Sequence, residues 1–125
     1  MKNEKQRTVL LIEDDRDVLS AIARYLRYLG YEVLTATDGM EGLKKLKSGG
    51  YDLVVTDVVM PYVSGIGLVT AIKEKRPQIP VIVITGYGKE PEQAAMEKKA
   101  DIVLSKPVEM SVLAEHIASL IAAKA

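Results

Sequence analysis

Six polar residue positions stand out because each follows directly on a short apolar run: Glu13, Asp14 and Asp15 after one run, and then Asp57, Thr85 and Lys106 after three others. Uncharged, β-branched runs of this kind predict strands buried on both faces, as in parallel sheets, which brings all these residues to one sheet edge. In open α/β sheets the C-terminal edge binds ligands, because the strands stop there and helix N-termini point N–H groups into the crevice. If the first and third strands are neighbours, Asp14 and Asp57 face one another. Carboxylates held that close repel, which raises a pKa unless a cation shares the site. An all-oxygen set without His or Cys favours a hard cation that keeps several waters, namely Mg²⁺. The cation in turn suggests phosphate. Asp57 is then a carboxylate nucleophile that becomes an acyl phosphate. The Lys106 ammonium neutralises phosphoryl oxygens as a flexible point charge, and Thr85 offers one of them a hydroxyl. Gly86 and Gly88 leave the adjoining loop free to adjust.

The elements that must position these residues are legible in order. Val9 to Ile12 is the first apolar strand. Val18, Ile22, Tyr25, Leu26 and Leu29 then recur at helical spacing, and Gly30 closes the helix. Glu32 to Ala36 alternates weakly, as an edge strand does, and Asp38-Gly39 opens a helix that Gly49-Gly50 stops. The strand from Leu53 delivers Asp57 before Met60-Pro61. Ser64 is a plausible cap for a helix through Leu68, Ala71 and Ile72, which ends at Arg76-Pro77. Val81 to Ile84 is the fourth strand, residues 90–99 a short polar helix, and Ile102 to Leu104 the fifth strand. The last helix carries Val112, Leu113, Ile117, Leu120 and Ile121. Five strands alternating with five helices predict a parallel sheet covered on both faces by right-handed crossovers.

Composition narrows the function classes. The 125 residues make one ordinary globular domain, which buries roughly two thirds of its unfolded surface. Seventeen basic and seventeen acidic residues cancel, so no basic field favours direct nucleic-acid binding. Cysteine is absent, which excludes disulfides and thiolate metal sites. No signal-peptide pattern and no apolar run of membrane-spanning length is present, so a cytoplasmic protein is expected.

The set Glu13, Asp14, Asp57, Thr85 and Lys106, with Met60-Pro61 and Gly65 following the central acid, resembles the receiver domain of response regulators over essentially the whole chain, residues 1–125. The resemblance implies a flavodoxin-like (βα)5 doubly wound sheet with strand order 2-1-3-4-5. It implies Asp57 as phosphoacceptor, Glu13 and Asp14 as the acidic pair at Mg²⁺, Val59 lending a backbone carbonyl to the metal, Thr85 as switch hydroxyl and Lys106 as phosphate contact. Lys106-Pro107 is expected to be cis.

The implied function is a phosphorylation-dependent signalling switch rather than an enzyme. A histidine kinase or phosphotransfer protein would donate to Asp57 and dock near Asp15, Arg16, Val18, Pro107 and Val108. A downstream target or a second copy would bind the face made by the helix over 90–99, the fifth strand and the last helix. One position departs from the family: three residues before the lysine an aromatic side chain is usual, and here it is Val103. Val59 and Tyr87 place uncharged bulk beside the acceptor, which would slow the approach of water to the acyl phosphate.

Competing roles are simpler. An acid after a strand also serves as a helix N-cap, and Asp15 fits that role as well as it fits a helper role at the site. A phosphatase would need a general acid where Val59 stands, and a flavin carrier would not place acids after its first strand. His116 reads as a surface residue, Lys44, Lys45, Lys47 and Lys73 to Arg76 as solvated helix faces, and Tyr25, Tyr28 and Tyr31 as packing residues with wet hydroxyls.

Overall fold

The structure is a computed structural model that describes residues 6–58, 65–86 and 100–124. The apolar runs form five parallel strands: β1 (Thr8–Ile12), β2 (Glu32–Ala36), β3 (Leu53–Asp57), β4 (Val81–Thr85) and β5 (Ile102–Ser105), in the order β2-β1-β3-β4-β5. The described helices are α1 (Arg16–Tyr28), α2 (Gly39–Ser48), α3 (Gly65–Lys75) and α4 (Met110–Lys124). The doubly wound order expected from the sequence is therefore present. The helix expected over 90–99 lies outside the described residues, as do Val59, Met60, Pro61, Ser64, Tyr87 and Gly88.

Strand alternation sorts the core into two layers. Val9, Leu11, Leu53, Val55, Ile82 and Ile84 pack with Leu26 of α1 and with Leu113 and Ile117 of α4. Leu10, Ile12, Val54, Val81 and Val83 pack with Leu46 of α2 and with Leu68 and Ile72 of α3. Most of these side chains are fully buried. Each such burial stabilises the fold by about 1.5–3 kcal/mol before ordering costs are counted. The edge strand β2 is less covered, with Glu32 exposed and Leu34 and Thr35 half-buried, which explains its weak pattern.

The helix boundaries follow from side chains at their ends. The Asp15 carboxylate accepts the N–H groups of Asp17 (3.0 Å) and Val18 (3.2 Å), so it caps α1. At the other end Gly30 has φ 103°, the Gly30 N–H donates to Arg27 O (3.0 Å), and the Tyr31 N–H donates to Leu26 O (3.1 Å). This Schellman geometry turns the chain directly into β2. Asp38 caps α2 through the Glu41 N–H (2.8 Å), while the Glu41 carboxylate reaches back to the Thr37 N–H (2.6 Å). Gly42 brings α2 hard against β1: a Cβ there would sit 2.9 Å from Ile12 Cδ1. That contact helps to fix the end of β1 from which Glu13 projects.

At the N-terminal edge of the sheet two aspartates do structural work. The Asp52 N–H donates to Thr8 O (2.8 Å) and its carboxylate accepts the Thr8 N–H (2.8 Å). Asp101 repeats the pattern with Val81, at 2.9 and 2.8 Å. Each clasps the first residue of the neighbouring strand. The expected solvated face needs correction at three cations. Lys45 donates to Thr35 O, Lys73 bonds Ile79 O and Asp101 (both 2.9 Å), and Arg76 lies over the Tyr51 ring at 5.8 Å. Long side chains fold back onto backbone carbonyls that the sequence alone does not place. Tyr28 is also corrected: it is 84% exposed, whereas Tyr25 and Tyr31 do pack on the core. Among the described residues no helix is long and apolar enough to cross a membrane.

Candidate phosphoacceptor and metal site

The pairing of β1 with β3 sets Ile12 beside Thr56, so the residues that follow, Glu13 and Asp57, emerge next to each other. The pairing of β3 with β4 sets Asp57 beside Ile84, and Thr85 follows immediately, opposite Ser105 of β5. Glu13, Asp57 and Thr85 are buried, while Asp14 is exposed at the rim. Glu13, Asp14 and Asp57 each bring a carboxylate oxygen within 4.8 Å of the others. The acids expected to converge do converge.

Lys106 reaches over them from the end of β5. Its Nζ lies 2.9 Å from Asp57 Oδ2 and 3.6 Å from Glu13 Oε1. The other Asp57 oxygen, Oδ1, accepts the Val58 N–H at 2.7 Å. The tip of β4 holds both donors: the Val58 N–H is shared with Ile84 O (3.1 Å), and the Lys106 N–H donates to Thr85 O (2.8 Å). The lysine stem runs alongside Gly86, where a Cβ would meet it at an ordinary contact distance of 3.4 Å. The Lys106-Pro107 bond is cis, as expected.

The electrostatics follow from having more buried carboxylate than cation. Burial pushes the Glu13 carboxyl up to about 7, and the Asp57 charge adds to this; the Asp15 N–H, which donates to Glu13 Oε2 at 3.0 Å, and Lys106 oppose it. For Lys106 burial acts downward, but the hydrogen bond and charge of Asp57 outweigh it and hold the ammonium above the ordinary lysine range. Among the described residues, three clustered carboxylates with one ammonium form a site deficient in positive charge. An all-oxygen donor set of this density is suited to a hard divalent cation.

Of the sequence-predicted residues, the structure gathers Glu13, Asp14, Asp57, Thr85 and Lys106, and Val59 lies outside the described residues. Asp15 takes the capping role. Val103 is half-buried against the layer formed with α2 and α3. Sequence reasoning missed the Val58 N–H, because a backbone donor leaves no compositional trace. It also missed a cavity of about 590 Å³ beside Glu13 and Lys106, walled by Val18 and Ile22 of α1 and by Pro107, Val108 and Leu113.

Residues 9–118 match the model of the response regulator receiver domain, so the chain belongs to that family, whose members are phosphorylation-dependent switches of two-component signalling. It is 35% identical over 114 residues to the transcriptional regulatory protein PrrA of Mycobacterium tuberculosis, covering 90% of this chain and 49% of PrrA. The chain thus spans about half the length of that relative. Its structure is similar to a CheY-like response regulator receiver domain protein from Methanospirillum hungatei (TM-score 0.92, 28% identity, 96% of this chain and 97% of that one). It is also similar to the response regulator TrrA from Thermotoga maritima, whose crystal structure is a complex with Mg²⁺ and BeF (TM-score 0.84, 30% identity, 92% of this chain and 99% of TrrA).

Proposed function

We propose that Asp57 is the phosphoacceptor of a receiver unit spanning residues 1–125, charged by the phosphohistidine of a histidine kinase or phosphotransfer protein. One observation carries this: Asp57 is buried with Oδ2 on the Lys106 ammonium at 2.9 Å and with the Glu13 and Asp14 carboxylates beside it. An Asp57 oxygen forms a bond to phosphorus as the phosphorus–nitrogen bond of the phosphoimidazole breaks. The ring nitrogen keeps that electron pair and takes up a proton.

Lys106 exchanges its contact with the Asp57 carboxylate for one with a phosphoryl oxygen, and Thr85, at the end of the adjacent strand, donates its hydroxyl to another. The Val58 N–H holds the acceptor's orientation meanwhile. Glu13, Asp14, Asp57 and the backbone carbonyl of Val59 would hold Mg²⁺, which when bound neutralises charge on the phosphoryl oxygens. The Mg²⁺ and BeF of the TrrA complex support that choice of ion.

The apolar cavity between α1 and the Pro107–Val108 segment supports docking of the donor's helices at that side. Output passes to a target, or to a second copy, through the face that includes β5 and α4, with the domain in the cytoplasm beside its kinase and touching neither nucleic acid nor membrane. The only chemistry of its own is self-catalysed phosphotransfer and hydrolysis of the acyl phosphate.

Incubation with acetyl phosphate and Mg²⁺ followed by intact mass tests the assignment. Wild type gains one phosphoryl group and Asp57→Asn gains none. An equal gain by both would assign the acceptor elsewhere.

A further inference from the structure

We propose that the groove between α2 and α3 is a second ligand site, one that takes a nucleoside phosphate, at the sheet edge opposite Asp57. The groove encloses about 420 Å³, within the range of small-molecule pockets. Its floor is apolar, made by Leu43 and Leu46 of α2 and by Ala71 and Ile72 of α3. Its rim carries Lys47, Lys75 and Arg76, and among the described residues no acid lines it.

Arg76 is the most informative member. Its guanidinium lies 5.8 Å from the centre of the Tyr51 ring and packs on the backbone of Gly49, where a Cβ would be 3.1 Å from Nη1 and from Nη2. Gly49 has φ 75°, so a side chain is disfavoured there for backbone reasons too. Tyr51 is itself fixed, its hydroxyl donating to Leu46 O at 3.0 Å. The guanidinium thus lies between the Tyr51 ring and Gly49. Among the described residues, however, none of its donors meets an acceptor and no carboxylate pairs with it, in contrast to Lys73, which is paired with Asp101.

Lys47 and Lys75 have a simpler role available, since cations in the last turn of a helix complement its dipole. That role requires no apolar concavity between them and gives no reason for an unpaired guanidinium set over an aromatic ring alongside. A planar base can stack on the guanidinium and cover the apolar floor while its phosphate meets the two ammonium groups. Inorganic phosphate would gain only the second of these contacts, and a free nucleoside only the first.

The test is titration of the isotopically labelled chain with AMP in EDTA, with inorganic phosphate and adenosine run separately, followed by amide chemical shifts. EDTA removes divalent metal, so the outcome is independent of the chemistry at Asp57. We expect AMP to shift the amides of Gly49, Tyr51 and Arg76 at concentrations where phosphate and adenosine do not. The exposed double change Lys47→Glu with Lys75→Glu should weaken AMP by about tenfold or more, the size of one lost charge-assisted contact. Arg76→Lys, which keeps the charge but not the plane, should weaken it as well. Absence of shifts at these amides, equal binding of inorganic phosphate, or full affinity in the double variant would each overturn the proposal.

Discussion

The two edges of this sheet use the same residue types to opposite ends. At the edge where the strands begin, Asp52 and Asp101 each accept a strand N–H at 2.8 Å, and each also has a basic partner, Arg7 at 3.8 Å and Lys73 at 2.9 Å. Each of these two acids is matched by its donors, and the pair lock β1 to β3 and β4 to β5. At the edge where the strands end, Glu13 and Asp57 share one ammonium among the described residues, with the Asp14 carboxylate beside them. Acceptors there outnumber donors, and burial of Glu13 and Asp57 makes the imbalance costly. An acid at a strand end is thus structural when its charge is matched by the fold, and functional when the matching charge must come from outside.

The contrast is broken most completely by withholding the outside charge. Chelation of divalent metal should abolish phosphorylation of wild type by acetyl phosphate, read as loss of the added mass, while leaving the far-UV circular dichroism spectrum unchanged. Restoring Mg²⁺ should restore the mass gain and raise the urea midpoint, because an ion that binds only the folded state stabilises it by mass action.

Neutralising one acid at each edge gives opposite signs. Asp101→Asn should destabilise the chain by about 1–2 kcal/mol, since a half-exposed charged hydrogen bond is weakened and Lys73 loses its partner. Glu13→Gln should instead stabilise the metal-free protein by about 1–3 kcal/mol above pH 7, because burial of an ionised Glu13 is what it relieves. Urea denaturation in EDTA measures both. Destabilisation of equal size at both positions would remove the distinction.

Acidity sharpens the same point. The folded protein holds the Glu13 proton more tightly than the unfolded chain, with the carboxyl raised from 4.5 to about 7. Its contribution to stability is therefore fully present below the unfolded value and is lost as pH rises through about 7. Metal binding requires the ionised form, so Mg²⁺ affinity measured by calorimetry should rise across that interval. In Glu13→Gln this part of the pH dependence should vanish. The smallest effect concerns lifetime: replacing Val59 and Tyr87 together with small polar residues should speed loss of the acyl phosphate several-fold, followed by mass after removal of the phosphodonor.

The edge where the strands end was legible in the sequence, and the edge where they begin was not. Glu13, Asp57, Thr85 and Lys106 announce themselves because each terminates an apolar run, and the end of such a run is a fixed place in an α/β fold. Asp52 and Asp101 also border apolar runs, but at their beginnings. Their role depends on which strand lies alongside and in what register, which is a property of the assembled sheet. Lys45, Lys73 and Arg76 sit in helix-end charge clusters that read as solvated until the carbonyls and the ring they fold onto are in place. Tyr28 lies off the helix face that buries Leu19, Ile22, Ala23 and Leu26, and so points to solvent. Asp15 could be read two ways because a cap and a site helper need the same short acid. The residue-level roles at the site rested on family resemblance as much as on spacing.

The backbone hydrogen bonds at the tip of β4 tie together parts that could otherwise have moved separately. Ile84 O secures the amide that aims Asp57, and Thr85 O secures the amide of the lysine that covers it. A displacement of this strand end would therefore disturb the amide that aims the carboxylate and the amide of the lysine that pairs with it at the same time. The last rung between β3 and β4 thus joins the aim of the carboxylate to the seat of its counterion through two consecutive carbonyls of one strand.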